Sequence, residues 1–114
     1  MKGFSISLVL AGALAAPALA QGAIGTLAHG TFACELPGDA AGQASIAQPE
    51  RNITIENASR YSSPQGGGSY LRRGDTLTLT SGPRQGESYA VISEGFLRLL
   101  EGGRPGRLRC VLQG

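Results

Sequence analysis

His29 is the only histidine in 114 residues, and it stands in "GTLAHGTF", ahead of the first strand-like run. Nucleophilic hydrolysis needs a hydroxyl or thiol with a base beside it, and the usual base is an imidazole. A lone histidine at a strand entrance reads as an exposed residue, not as half of a dyad. Lys2, the only lysine, lies in a leader described below, so no amine remains for Schiff-base chemistry. Glu35, Glu50, Glu56, Asp75, Glu87, Glu94 and Glu101 leave a carboxylate-dependent hydrolase as the one catalytic alternative. These acids fall mostly on polar strand faces or in turns, where solvation accounts for them. No D-x-D-x-D-G run offers a metal site. The expectation is a non-enzymatic protein with no cofactor and no metal.

The other reactive pair is Cys34 and Cys110, near the two ends of the chain. In an exported protein such a pair reads as a disulfide, because the compartment is oxidising. Export is what the first twenty residues imply. "MKGFSISLVLAGALAAPALA" joins Lys2, an apolar run from Ser5 to Ala16, and the small-x-small box Ala18-Leu19-Ala20. Those are the three parts of a secretory signal peptide. The run is shorter than the ~20 residues of a spanning helix, so no membrane span is expected after cleavage. The expected organisation is a leader over 1–20, an N-terminal segment over 21–30 and one disulfide-stapled domain over 31–114. The compartment is periplasmic or secreted, and the short Ala-rich leader has a bacterial character.

Without Lys2 the ten basic residues become nine arginines, set against eight acids. That near-neutral balance argues against nucleic acid, which is met by concentrated uncompensated cations. The one local excess is "FLRLLEGGRPGRLRC", where Arg98, Arg104, Arg107 and Arg109 face Glu101. Such a patch fits an anionic envelope polymer or an acidic exported protein, or is only a solvated face. No aromatic residue interleaves with the arginines to stack on bases. "SSPQGGGSY" lacks the lysine of a phosphate loop and reads as a hairpin connection. Asn52-Ile53-Thr54 and Asn57-Ala58-Ser59 match glycan acceptors, by chance if the source is bacterial.

The elements that must carry these residues are short and mostly alternating. "TFACEL" sets Phe32, Cys34 and Leu36 on one face, "NITIE" sets Ile53 and Ile55, and "DTLTLT" sets Leu77 and Leu79. "RLRCVL" aligns Leu108, Cys110 and Leu112, while "SRYSS" and "GGSYLRR" are weaker strands that place Tyr61 and Tyr70. "SYAVIS" is apolar on both faces, as a more buried strand would be. Period-two alternation in runs of this length marks half-buried strands. In "SEGFLRLLEGG" the adjacent Leu99 and Leu100 break alternation. Helical spacing of Phe96, Leu99 and Leu100, with Ser93 as cap and Gly102-Gly103 as stop, predicts a short helix there. The Ala-rich piece between Pro37 and Pro49 reads as a loop or one helical turn. The whole predicts a mainly β domain, a small antiparallel meander closed as barrel or sandwich, with Cys34 on the first strand meeting Cys110 on the last.

"YLRRGDTLTLTSGPRQG" holds Arg73-Gly74-Asp75, which reads as a hairpin turn rather than an adhesion signal. Together with "GTFAC" and the closing "LRCVL" it resembles small exported β-proteins of proteobacteria. The chain is also similar to the periplasmic inhibitors of C-type lysozyme. Those are small barrels with an early and a late cysteine, a Ser-Gly-x-x-Tyr loop and a Lys-Gly-Asp turn that enter the lysozyme cleft. The resemblance implies that Arg73, Gly74 and Asp75 stand for the second turn. Ser81, in Ser81-Gly82, comes after that turn in this chain, and Tyr89 lies further from it than the inhibitor pattern has it. Two functions follow as expectations: an exported binding or envelope-associated protein of unknown ligand, and a lysozyme inhibitor.

Overall fold

The computed structural model describes residues 24–114. The leader expected over 1–20 lies outside the described residues. Ten strands follow in order: β1 (Ile24–Gly25), β2 (Gly30–Pro37), β3 (Ser45–Ala47), β4 (Ile53–Glu56) and β5 (Arg60–Ser62) come first. They are followed by β6 (Gly68–Arg73), β7 (Thr76–Leu79), β8 (Ser88–Ser93), β9 (Phe96–Glu101) and β10 (Arg104–Leu112). Among the described residues one 3₁₀ turn, Pro49–Arg51, precedes β4; the piece between Pro37 and Pro49, expected as a loop or one helical turn, is a loop that carries the short strand β3.

From β4 to β10 every strand pairs antiparallel with the next, an up-and-down meander built of hairpins. β2 then pairs with β4 on one side and β10 on the other, which closes an eight-stranded antiparallel barrel. Closure leaves no open edge among those eight strands. β1 and β3 are short additions, on the ends of β6 and β2 respectively. The barrel alternative, not the sandwich, is therefore the architecture.

Alternation does what it should. Phe32, Cys34, Ile53, Ile55, Leu77, Leu79, Leu108 and Cys110 all point inward and are buried, joined by Tyr61, Tyr70, Tyr89, Val91 and Leu97. Leu27, ahead of β2, also packs into this cluster. An eight-stranded barrel has an interior that side chains can fill, and here three tyrosines and a phenylalanine fill much of it. Cys34 and Cys110 sit directly opposite each other across β2 and β10 and form the disulfide, with S–S 2.05 Å. The bridge thus fastens the one seam that joins the two ends of the meander.

The short C-terminal helix is not there. Phe96–Glu101 is β9, hydrogen-bonded to β8 on one side and β10 on the other. A helix at this point would leave both neighbours with unpaired edges, and ladder closure outweighs the local i, i+3, i+4 pattern. Leu97 is buried inside the barrel and Leu99 packs against the core opposite Tyr89. Leu100 lies opposite Pro105, half-buried. Gly102-Gly103, with φ of 60° and 82°, is the tight turn of the β9–β10 hairpin, not a helix stop. β8 also departs from expectation: Tyr89 and Val91 are buried but Ile92 is exposed, so the strand is buried on one face only.

Candidate functional site

Strand direction alternates around the barrel, so the connections gather at two ends. Asn57–Ser59, Gly74-Asp75 and Glu94-Gly95 belong to one end. Residues 63–67, 80–87 and 102–103 belong to the other, together with the 3₁₀ turn. Each end carries a polar construction, and the two are of different kinds.

At the first end, Arg73 and Thr76 pair across a two-residue turn formed by Gly74 and Asp75. Gly74 has φ 60° and Asp75 keeps a negative φ, the pattern of a II′ hairpin, which a side chain at position 74 would strain. Arg72 braces this turn from below. Its Nε donates to Gly74 O at 2.9 Å, and its Nη1 donates to Thr26 O at 3.0 Å and to Glu94 Oε2 at 2.9 Å. One half-buried guanidinium thereby ties together the segment after β1, the β6–β7 turn and the β8–β9 turn. Arg73 and Asp75 are left exposed at the tip, and neither makes an ion pair among the described residues.

The neighbouring turn at this end was not legible beforehand. Arg60 N donates to Asn57 O, and the two central residues, Ala58 and Ser59, have φ of 58° and 57°. That is a I′ turn with alanine and serine where Asn-Gly is the usual pair. Left-handed conformations cost L-residues of this kind roughly 1–2 kcal/mol each. Replacing Ala58→Asn with Ser59→Gly is expected to stabilise the protein by about 1–2 kcal/mol, read as a higher denaturant midpoint at unchanged slope. A lower midpoint would show that the turn carries no strain.

At the second end, Arg84 closes the barrel floor. Its side chain is only 5 % exposed, yet nearly every donor is used. Nε faces both oxygens of Glu87 at 3.1 and 3.2 Å, Nη1 donates to Asn52 O at 3.0 Å, and Nη2 donates to Arg51 O at 3.0 Å and Tyr89 Oη at 2.9 Å. Tyr89 in turn donates to Glu87 Oε1 at 2.8 Å. A shallow cleft of about 260 Å³ lies over this network, lined by Arg51, Gln65, Arg84 and Glu87.

The titration behaviour follows from this geometry. Burial alone would lower the Arg84 pKa, but hydrogen bonding and attraction from Glu87 and Tyr89 outweigh it and hold it above its ordinary value. Burial works to raise Glu87, yet the hydrogen bonds from Arg84 and Tyr89 and the charges of Arg84 and Arg51 pull it below. The Tyr89 hydroxyl is pushed up to about 12, chiefly by burial, against the opposing charge of Arg84. Since the native Glu87 carboxyl titrates below the unfolded one, its contribution is complete above the ordinary value of 4.5. It is lost as pH falls through the native value. Glu87→Gln is therefore expected to be less stable than wild type near neutrality and to lose less stability across the acid window. Equal acid slopes for the two proteins would remove Glu87 from this account.

The structure divides the residues singled out from sequence. Arg73, Gly74 and Asp75 stay together at the first end, while Ser81 lies in the β7–β8 loop at the second. There its carbonyl accepts from Tyr61 Oη at 2.8 Å and its hydroxyl accepts from Ser69 N at 2.9 Å. The Arg-rich patch is also split. Arg109 is engaged with Glu35 at 2.7 Å and Arg98 donates to Gly106 O at 3.0 Å. Arg104 and Arg107 are exposed and make no ion pair among the described residues. His29 is exposed ahead of β2. Among the described residues no three His, Cys, Asp or Glu side chains gather as a metal site would require.

Comparison of the chain with protein-family models, curated proteins and solved structures gives no match. The two ends must be told apart by chemistry. Arg84 has its hydrogen-bonding capacity consumed inside the protein, which suits a structural plug. Arg73 has its capacity unspent on a braced support, which suits recognition.

Proposed function

We propose that this chain is a small exported, non-catalytic binding protein, periplasmic or secreted, whose partner is a C-type lysozyme that it inhibits. The observation that carries the reading is the β6–β7 turn: an exposed Arg73, unpaired among the described residues, at a hairpin tip held rigid by Arg72. A glycosidase of this class works with two carboxylates flanking the scissile bond in a cleft. A guanidinium inserted between them offers five donors in a fixed fork and a permanent charge. A preformed turn also loses little conformational freedom on binding, so more of the contact energy remains as affinity. The filled barrel interior supports binding from outside or from an end, rather than carriage of a ligand within. The closed barrel with early and late cysteines joined agrees with what the resemblance to lysozyme inhibitors implies for the fold. The Ser-Gly-x-x-Tyr loop of that family has no counterpart at Ser81, and the strained Asn57–Ser59 turn is the other element at the Arg73 end.

The test is inhibition of a C-type lysozyme by the purified protein. Arg73→Ala is expected to weaken inhibition by about 30-fold or more, as for truncation of a desolvated interface arginine. Fold stability should be unchanged, because the side chain is exposed. No inhibition by wild type at micromolar concentration overturns the reading.

A second reading, attachment to an anionic envelope polymer, is favoured by the exposed and unpaired Arg104 and Arg107 beside the β9–β10 turn. Salt-sensitive sedimentation with cell-wall polymer, lost in Arg104→Ser with Arg107→Ser, would support it.

A further inference from the structure

Four large hydrophobic side chains are conspicuously exposed among the described residues: Ile24 at 65 %, Ile92 at 54 %, Ile46 at 46 % and Leu71 at 37 %. Exposed aliphatics scattered singly need no explanation. These are not scattered evenly. Ile46 lies alone on β3, whereas Ile24, Leu71 and Ile92 lie on β1, β6 and β8 towards the end that carries Arg73.

Register places two of them beside the arginine. Ile24 is the direct cross-strand partner of Arg73, and directly opposed residues project from the same face of a sheet. Leu71 lies two residues before Arg73 on β6, so it shares that outward face, while Tyr70 just before it points into the core. The outer surface of β1 and β6 thus presents a charged tip with an aliphatic residue across from it and another below. Productive interface anchors are built this way: a charged or aromatic anchor surrounded by apolar contacts that keep water out. A lone exposed cation would be largely screened, whereas one sealed by apolar neighbours acts in a lower dielectric.

Resting on the inhibitor reading, we infer that Ile24 and Leu71 are part of the same docking surface as Arg73. They seat against the apolar wall of the partner's sugar-binding cleft while Arg73 reaches its carboxylates. The occupant follows from complementarity: an unpaired cation needs an acidic floor, and two flanking aliphatics need apolar walls. A substrate cleft with a catalytic carboxylate pair supplies both. On this account β1, only two residues long, is a functional addition to the barrel that pairs with Arg72 and Arg73 beyond the reach of β5.

The test uses the full exported chain with Ile24→Ser and Leu71→Ser combined, alongside Arg73→Ala, in the lysozyme inhibition assay. The double variant is expected to raise the inhibition constant about 10–100-fold, mainly through faster dissociation. Its thermal midpoint should stay close to wild type, and the loss of inhibition it causes should vary less with salt than the loss caused by Arg73→Ala. If Arg73→Ala is impaired and the double variant inhibits like wild type, the apolar flank is overturned and the inhibitor reading stands. If wild type does not inhibit at all, the inhibitor reading falls, and sedimentation then decides the surface. A concentration-dependent dimer lost in the double variant would make a second copy of this chain the occupant, overturning the inference.

Discussion

Arg84→Met is expected to cost about 3–4 kcal/mol of folding stability, in the range found when one member of a buried ion pair is removed. For a domain of this size that is a fall of roughly 12–30 °C in thermal midpoint. Methionine can fill much of the space but can donate nothing. Its introduction leaves the carbonyls of Arg51 and Asn52, the Tyr89 hydroxyl and the Glu87 carboxylate short of a partner at once. Glu87 is a quarter exposed and can take up water from the cleft, which keeps the expected cost below the top of the range. A double-mutant cycle separates the parts. Arg84→Met with Glu87→Gln should cost less than the sum of the two single changes, because the second removes the charge that the first strands. Denaturant unfolding of the four proteins measures it. Strict additivity would mean that the pair is not a unit, and a cost under 1 kcal/mol would mean that Arg84 is not the floor of the barrel.

That network also marks where reading a sequence stops working. The strands that build the barrel wall were legible because each needs only a local signal. Phe32 and Cys34, Ile53 and Ile55, or Leu77 and Leu79 alternate within four or five residues, and a half-buried surface demands that alternation. The spacing of turns pointed to a meander closed as barrel or sandwich, in which the two cysteines would meet; reading them as a disulfide rested on the export signal. Arg84 gave no such signal. In "SGPRQGESY" it reads as one more loop arginine, and its burial depends on carbonyls of Arg51 and Asn52, more than thirty residues earlier. The i, i+3 spacing to Glu87 was visible, but nothing local says that a loop will fold across a barrel mouth. β9 failed for a related reason: Phe96, Leu99 and Leu100 are compatible with helix and strand alike, and only the two flanking ladders decide. At the end that carries Arg73, Gly74 announced its turn, whereas Ala58 and Ser59 could not, since neither residue favours a positive φ. Arg73 was singled out by its tripeptide; the bracing of its turn by Arg72 depends on Thr26 and Glu94, from two distant parts of the chain.

Removing the disulfide should have the other large effect, and a localised one. Cys34 and Cys110 are 76 residues apart in sequence, so the bridge restricts most of the unfolded chain. The entropic model gives about 4.5 kcal/mol for a loop of that length, and losses in small exported domains run from about 2 to 5 kcal/mol. Against a total of about 5–14 kcal/mol for a domain of this size, that is a substantial fraction. The location matters as much as the magnitude. Every pairing from β4 to β10 is a hairpin between sequence neighbours, cheap to close and quick to re-form. β2 against β10 closes the ring between the most distant parts of the chain, through Arg109 to Leu112 facing Phe32 to Glu35. Cys34→Ala with Cys110→Val, which keeps the interior apolar, is therefore expected to open at that seam first. Amide exchange should show early loss of protection at Gln113, which donates to Thr31 O, and along the β2–β10 ladder. The β7–β8 hairpin should remain protected close to the global limit, and reductant on wild type should reproduce the pattern. Uniform loss of protection around all eight strands would show instead that the bridge acts only on the unfolded chain. The barrel would then be held shut by its core alone.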